Sequence, residues 1–274
     1  MVDILRRDMA PIVDEAWKEI ELQSSRLLKG NLSGRKLVDF GGPHGVSFAA
    51  VNLGRLEVGS EDVAAGVAWG LHKVLPLVEI RVPFTLQVWE LDDVARGARN
   101  PDLSPMIEAA RKVAIFEETA LYRGFGGAGI QGLLEVSSHA PVSLSPDRSK
   151  LTESVELALL AIQEAEIGGP FALVLGTEPY KWLMAGEPSA YPLRERIKAL
   201  VTGGIHWSPV LEGGAVLSRR GGDFEMTVGQ DVAIGYKMHT AREVELYFAE
   251  SFTFRVLEPA AAVELKLKAA PRSK

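Results

Sequence analysis

Hydrophobic and polar positions alternate with two different periods along this chain, and the period changes several times. After Pro11, apolar residues recur mostly at steps of three and four with charged residues between them, which predicts an amphipathic helix that ends near Gly30. Ser104 and Pro105 open a second helical pattern that continues to Gly124, with Ser104 as the expected N-cap. This helix of about 20 residues, roughly 30 Å long, is long enough to form the spine of a domain.

Patterns with a period of two predict strands on either side of this long helix. Residues 75–91 read as one strand that Pro83 interrupts, and a proline there indicates a sheet edge or a bulge because it cannot donate a ladder hydrogen bond. Residues 224–228 and 244–256 alternate in the same way, and residues 263–267 predict a final short strand. Strand-rich material therefore brackets the middle of the chain.

The middle of the chain, residues 136–223, alternates short helical and strand patterns. A helix is predicted for residues 153–165, a buried strand for 171–175, and short helices for 177–184 and 193–200. This segment has hydrophobic residues of its own, which indicates a separate α/β unit.

The segment from residue 48 to residue 75 predicts an extended ribbon instead of a compact unit. Its alternation is imperfect and its apolar content is small. A two-stranded ribbon cannot bury its own apolar surface, so we expect this segment to need a neighbouring element or subunit.

Composition narrows the class of protein. Of the 274 residues, 47% are hydrophobic and 24% are charged, which is typical of a folded globular chain. The net charge of −6 argues against nucleic acid as a partner, because phosphate binding needs clustered Lys and Arg. The longest apolar run, Leu157–Ile162, is far shorter than the roughly 18 residues of a membrane span, so we expect a cytoplasmic protein without a membrane partner.

The candidate chemistry is sparse. The chain has no cysteine, and its five histidines lack metal-ligand spacing, so no metal site is indicated. Residues 124–129 match G-x-G-x-x-G but follow a helix instead of a strand, which predicts a helix end and not a dinucleotide site. Glu117 and Glu118 face different sides of the long helix, which predicts ion pairs instead of an acid/base couple. These patterns indicate no catalytic residue and do not support an enzyme.

Several segments together resemble the type 1 encapsulin shell proteins, a family with the HK97 phage-capsid fold. The agreement is strongest over residues 220–236 and 250–254 and extends over nearly the whole chain. The other segments that carry it are Leu5-Arg-Arg-Asp-Met-Ala-Pro-Ile, Trp17-Lys-Glu-Ile, Gly34-Arg-Lys-Leu-Val-Asp-Phe, Val82-Pro-Phe-Thr-Leu, Trp89-Glu-Leu-Asp-Asp and Tyr191-Pro-Leu-Arg-Glu.

The resemblance implies an α+β, HK97-like fold with three parts. Residues 1–47, 76–135 and 224–274 would form the P domain, residues 136–223 the A domain, and residues 48–75 the E-loop that pairs with a neighbouring subunit. The implied assembly is a homo-oligomer that closes into an icosahedral nanocompartment around a cargo protein.

Residues for cargo capture follow from the same resemblance. The C-terminal targeting peptide of a cargo protein, of the Gly-Leu-Ile or Gly-Leu-Leu type, would dock between the N-terminal helix and strands of the P domain. The positions that match this groove are Leu28, Arg35, Asp39, Asp231 and Ile234. Apolar side chains would seat an aliphatic anchor, while Arg35 and the carboxylates hold the peptide in register. Alternatively, Arg35 and Asp39 form an intramolecular ion pair that orients the N-terminal arm.

Two further sites are implied by the family. The residues that would line a pore at the shell vertex are Gly186, Glu187, Pro188, Ser189 and Tyr191. Some members hold a flavin on a tryptophan at the position of Trp89, with Arg81 close by, although Val82 and Pro83 depart from that pattern. At the end of an apolar strand, Trp89 otherwise indicates a core or interface residue.

The implied cargo is a ferritin-like iron oxidase, which would make the compartment an iron store, or a dye-decolorising peroxidase, and the iron store is favoured. Two other functions stay open, namely a major capsid protein of an HK97-lineage phage and an enzyme such as a flavin oxidoreductase or a protease. The amphipathic N-terminal helix favours the cargo-loaded shell over the phage capsid, because it suits a peptide groove. The enzyme lacks support, because no nucleophile–base pair is recognisable.

Overall fold

The computed structural model describes residues 4–60, 64, 66–185 and 192–268. The helices are α1 (Asp14–Asn31), α2 (Val88–Ala95), α3 (Ser104–Arg123), α4 (Leu151–Glu164), α5 (Thr177–Met184) and α6 (Leu193–Leu200). The strands are β1 (Asp39–Gly41), β2 (Ala50–Val58), β3 (Gly70–Pro76), β4 (Val78–Gln87), β5 (Val142–Leu144), β6 (Phe171–Leu175), β7 (Gly204–Trp207), β8 (Gly214–Ser218), β9 (Phe224–Val228), β10 (Ala233–His239), β11 (Glu243–Val256) and β12 (Ala262–Leu267). A short 3-10 turn, Gly34–Lys36, follows α1.

The first sheet is built around β11, a strand of 14 residues that is buried over most of its length. Along one edge β11 pairs with β4, and along the other it pairs with β10 and then with β9, all antiparallel. Phe252 shows this directly, because it stands opposite Val78 of β4 and Val228 of β9 at once. β1 then pairs with β9 in parallel.

The helices α1 and α3 pack against each other and against this sheet. Trp17 and Ile20 of α1, Met106 and Val113 of α3, and Phe248 of β11 belong to one buried cluster. Steps of three and seven residues turn these side chains to a common face of each helix. Burial of each large apolar side chain stabilises the fold by roughly 1.5–3 kcal/mol, so this cluster holds α1 against the sheet.

The second sheet has the order β5-β12-β8-β6-β7, and α4 packs against it. β6 and β8 are buried at every residue. β12 lies between β5 and β8, although the predicted boundaries group residues 224–274 with the other domain. The alternation along a strand specifies which side chains are buried, but it leaves open which sheet the strand joins.

The extended ribbon predicted for residues 48–75 is confirmed as an antiparallel hairpin of β2 and β3. This hairpin carries several apolar side chains that are each more than half exposed, namely Leu56, Val58, Val67, Leu71 and Val74. A lone hairpin with outward apolar side chains is marginally stable in water. Its pairing with a neighbouring subunit stays a prediction.

The long helix is confirmed over Ser104–Arg123, but its predicted cap is wrong. Ser104 is the first helical residue, and Leu103 occupies the N-cap position without a side-chain cap. Asp102 covers the first turn instead, because its Oδ1 accepts from Ser104 N–H (3.0 Å) and from Ser104 Oγ (2.5 Å). The carboxylate reaches the helix from two residues upstream.

The single strand predicted for residues 75–91 is wrong at both ends. Residues 75 and 76 belong to β3, and β4 spans only Val78–Gln87, so Trp89 lies in the first turn of α2 instead of in a strand. Val88 N–H donates to Arg242 C=O (2.9 Å), after which the chain turns into the helix. Leu91 is buried three residues after Val88, which is helical spacing. The edge position indicated by Pro83 is confirmed, because among the described strands β4 pairs with β11 alone.

Candidate functional site

A cavity of about 530 Å³ lies between α1 and the beginning of β10. We call it the α1–β10 groove. The residues that line it are Arg7, Glu21, Ser24, Ser25, Leu28, Lys29, Leu32, Arg35, Lys36, Asp231, Val232, Ala233, Ile234 and Phe248. The α1 residues recur at steps of three and four over about three turns, so one face of the helix forms a whole wall.

The floor of the groove is apolar. Leu28 and Leu32 of the α1 wall face Ile234 and Phe248 of the sheet, and all four side chains are at most 9% exposed. Ile234 stands directly opposite Phe248 in the β10–β11 register, so their side chains lie on the same face of the sheet. An aliphatic side chain that entered the groove would therefore contact carbon on both walls.

One end of the groove is held by Arg35, which lies in the 3-10 turn after α1. Its guanidinium binds Glu117 of α3 through two nitrogens, at 2.9 Å from Nε to Oε1 and 2.7 Å from Nη2 to Oε2. Nη1 donates to Asp231 Oδ1 (2.7 Å), and Nη2 also donates to Glu250 of β11. This cluster joins the turn after α1, the long helix, β11 and the β10 wall.

The pKa values in this cluster follow from burial and from the excess of carboxyl groups. Burial alone lowers the pKa of Arg35, but its hydrogen bond and charge interaction with Glu117, and the charges of Glu250 and Asp231, raise it above the ordinary value. Burial, followed by the charge of Glu117, raises the pKa of Glu250 well above its ordinary range. A proton kept on Glu250 reduces the repulsion between these two neighbouring carboxyl groups.

The turn that carries Arg35 is fixed by a third buried carboxyl group, that of Glu118. Glu118 accepts from Ser33 Oγ (2.5 Å), Gly34 N–H (2.7 Å) and Ser208 Oγ (2.7 Å). Burial raises the pKa of Glu118 from 4.5 to about 7, even though these three donors act in the opposite direction. The predicted ion pair is therefore present at Glu117, whereas Glu118 binds hydroxyl and backbone donors.

Four of the five residues predicted for peptide binding lie together in the groove: Leu28, Arg35, Asp231 and Ile234. The fifth, Asp39, lies in β1 outside it, and its Oδ2 accepts from Gly222 N–H (2.6 Å). The alternative of an ion pair between Arg35 and Asp39 is wrong, because Arg35 binds the carboxyl groups described above. No local pattern in the sequence indicates whether Arg35 pairs with Asp39 or with the carboxyl groups of the cluster.

The two residues predicted to hold a flavin lie at different places. Arg81 pairs with Glu79 (2.8 Å), and its guanidinium lies over the Tyr247 ring at 5.3 Å. Trp89 lies in α2 and is 72% exposed. Arg81 lies six residues before the end of β4, which corresponds to roughly 20 Å along the strand. The predicted pore residues, at positions 186–189 and 191, lie outside the described residues.

Several contributors to the groove escape prediction from the sequence. Glu117 and Glu250 are fully buried and Phe248 is 1% exposed, yet the family pattern assigns none of them to the site. A glutamate inside an apolar strand pattern, such as Glu250, is itself a signal of a buried ion pair, because buried carboxylates need partners. The strand β10 is also missed, since Gly235 and Lys237 interrupt its alternation.

Within residues 4–60, 64, 66–185 and 192–268, no three His, Asp or Glu side chains are grouped so that they could hold a metal ion. In the same part of the chain, no helix combines the length and apolarity needed to cross a bilayer.

The fold is that of the HK97-like capsid proteins. A virus-like particle protein from Pyrococcus furiosus superposes with a TM-score of 0.63 at 18% identity, over 92% of this chain and 99% of that chain. The capsid of an empty GTA particle superposes with a TM-score of 0.52 at 16% identity, over 87% and 90% of the two chains. At such low identity these likenesses show the architecture alone, and the predicted α+β, HK97-like class is confirmed.

Sequence similarity identifies the family. Residues 2–253 match the family described as an encapsulating protein for peroxidase. The type 1 encapsulin shell protein of Rhodospirillum rubrum is 43% identical over 96% of this chain and 96% of its own length, and that of Mycobacterium tuberculosis is 39% identical over 95% and 98%. This chain belongs to the type 1 encapsulin shell proteins. Its relatives are named as shell proteins and not as enzymes.

Proposed function

We propose that the chain is the shell subunit of a closed compartment and that the α1–β10 groove captures the C-terminal segment of an enclosed enzyme. Membership of the shell protein family supports the first part. The observation that carries the second part is the groove itself, in which an apolar floor and the charged end at Arg35 and Asp231 lie between α1 and β10. A groove of this kind suits an aliphatic anchor whose flanking residues are polar.

The polar residues at the charged end of the groove have different roles, because they differ in their ion pairs and in their exposure. Arg35 is engaged by Glu117, Glu250 and Asp231, so its task is to fix the groove end and not to bind the peptide directly. Asp231 is the most exposed member of this cluster, at 43% of its side chain. It therefore meets a polar group of the docked segment.

The docking site is tested with a fluorescent protein that ends in a Gly-Leu-Ile segment and is co-expressed with the full-length chain. We expect the wild-type shell to retain the fluorescent protein through gel filtration. Leu28→Arg places a charge on the apolar floor. Ser25→Arg narrows the groove without replacing a core residue. Both variants are expected to form shells that lack fluorescence.

The matched control is Leu22→Arg, which adds the same charge to an exposed position of α1 outside the groove. It is expected to load like the wild type. Equal loading of all four proteins would contradict docking in this groove. Failure of the wild-type shell to load would contradict capture of such tails.

For the enclosed enzyme, the family description names a peroxidase, which favours the peroxidase of the two expected cargo enzymes, and a ferritin-like iron oxidase is the second candidate. The two differ in their metal chemistry, because the peroxidase carries haem. Particles purified from the native cells would show haem absorbance in the first case and ferrous-iron oxidation without haem in the second. Empty particles would contradict both.

A further inference from the structure

The outer edge of β9 and β10, away from β11, is hydrogen-bonded to other backbone at two places. Among the described residues, no strand or loop pairs with the stretch between these two places. The loop after β1 covers the edge as far as Gly229, whose C=O accepts from Gly45 N–H (2.8 Å). Further along, Tyr236 N–H donates to Leu5 C=O (2.7 Å). The groove lies against the stretch in between, because residues 231–234 form its wall.

The backbone N–H and C=O groups of Ile234 point away from β11 in this unpaired stretch. Along an antiparallel strand, successive residues direct their N–H and C=O groups alternately toward and away from the partner strand. Tyr236 directs its N–H away from β11, to Leu5. Gly235 and Ala233 therefore bond to β11, which they face in the register. Ile234 lies between them, so its N–H and C=O face the groove.

On the N-terminal side of Ile234, the next backbone donor is the N–H of Val232, and it already has an acceptor. Val232 N–H donates to Asp231 Oδ1 (2.8 Å), the same oxygen that accepts from Arg35. Asp231 thus marks the end of the stretch that offers backbone donors. What the edge presents to the groove is one donor and acceptor pair at Ile234, beside the apolar floor.

We infer that the docked segment binds as an added β-strand on β10, with its backbone hydrogen-bonded to Ile234 N–H and C=O. This inference rests on the proposed function of the groove. The added strand lies in line with the existing partner at Leu5, and it continues pairing that the sheet already makes on this edge.

The pairing also determines which side chains of the segment enter the groove. Residues that stand directly opposite each other on neighbouring strands share a face of the sheet. The side chain of Ile234 lies on the face covered by α1, next to Leu28 and Phe248. The residue opposite Ile234 therefore directs its side chain to the apolar floor, and every second residue does the same. A segment bound as a helix would instead present residues at steps of three and four.

Backbone N-methylation distinguishes these modes. A fluorescein-labelled peptide ending in Gly-Leu-Ile is added to the full-length protein, which is dissociated and then reassembled in its presence, and fluorescence anisotropy gives the Kd. Each residue of the peptide is N-methylated in turn. We expect binding to weaken roughly tenfold at the one residue whose N–H donates to Ile234 C=O, because that hydrogen bond and the close approach of the strands are lost, with little change at its two neighbours.

The groove variants separate failure of this inference from failure of the proposed function. If Leu28→Arg and Ser25→Arg abolish binding but the N-methyl effects are uniform, or recur every three to four residues, the strand mode is wrong and the docking site stands. If both variants bind the unmethylated peptide like the wild type, the site itself is wrong, and the strand mode with it.

Discussion

A single guanidinium, that of Arg35, holds the carboxyl groups of Glu117, Glu250 and Asp231 at one end of the groove. Glu117 and Glu250 are fully buried, so they depend on this cation and on a proton kept on Glu250. The sequence predicted an ion pair near Glu117. It did not indicate the partner, because Arg35 is 82 residues away along the chain.

Replacement of Arg35 by Met is expected to destabilise the subunit by about 3–5 kcal/mol, because the buried Glu117 loses its cation and the buried Glu250 loses a hydrogen-bond donor. The same replacement at Arg96, whose pair with Asp93 is exposed, is expected to cost at most about 1 kcal/mol. Denaturant unfolding of both variants measures the difference. Equal midpoints would show that the buried cluster adds nothing to stability.

Glu118 makes the stability of the protein depend on pH. Its pKa is raised by burial from 4.5 to about 7, so between these pH values the folded protein binds a proton that the unfolded chain releases. Stability therefore falls as the pH rises through this window, by a total of roughly 3 kcal/mol.

Glu118→Gln removes this titration and keeps the hydrogen bonds, because an amide donates to the hydroxyls of Ser33 and Ser208 while its oxygen accepts from Gly34 N–H. Melting temperatures between pH 4.5 and 8 are expected to vary less for this variant than for the wild type. Glu108→Gln, at an exposed position of the same helix, is expected to leave the profile unchanged. An unaltered profile for Glu118→Gln would contradict the assignment.

At the scale of elements, the long helices were predictable and the junctions were not. α1 and α3 follow from a repeat of three and four residues that is sustained over several turns. The boundary between β4 and α2 depends on a hydrogen bond from Val88 to Arg242, which no local pattern contains. The strand β10 was missed for a similar reason, since its pairing with β11 and not its own alternation makes it a strand.

The packing of the loop after β1 against β9 can be tested with a matched pair of glycine substitutions. Gly42 and Gly45 both have positive φ, at 117° and 97°. A Cβ on Gly42 would lie 2.3 Å from Val228 C=O, whereas a Cβ on Gly45 would meet nothing within 4 Å. Gly45→Ala is expected to cost roughly 1–2 kcal/mol for its backbone conformation alone, and Gly42→Ala clearly more. Equal unfolding midpoints would contradict close packing of this loop on β9.

At the scale of the whole molecule, the exposed side chains of the β2–β3 hairpin indicate that a subunit is incomplete by itself. Val58 and Leu71 are 73% and 64% exposed on a two-stranded ribbon. A monomeric protein seldom presents a contiguous apolar ribbon to water, so a neighbouring subunit is the expected partner. The folded core does not depend on these two side chains.

The double variant Val58→Asp and Leu71→Asp is expected to yield folded subunits that do not close into shells, because the charges block burial between subunits. Negative-stain microscopy and gel filtration measure assembly, and circular dichroism measures folding. Leu22→Arg, which alters an exposed position of α1, is expected to assemble normally. Shells of normal size from the double variant would contradict a role for the hairpin in subunit joining.

The sequence by itself determined the class of fold, the two main helices, the extended ribbon and the family, because these depend on local periodicity and on residues matched position by position. The tertiary structure decided which polar groups meet in the groove. Arg35 finds its partners 82, 196 and 215 residues away, and no local pattern encodes contacts at such separations. It also decided that the backbone of Ile234 faces the groove, because pairing with β11 sets the direction of every N–H along β10.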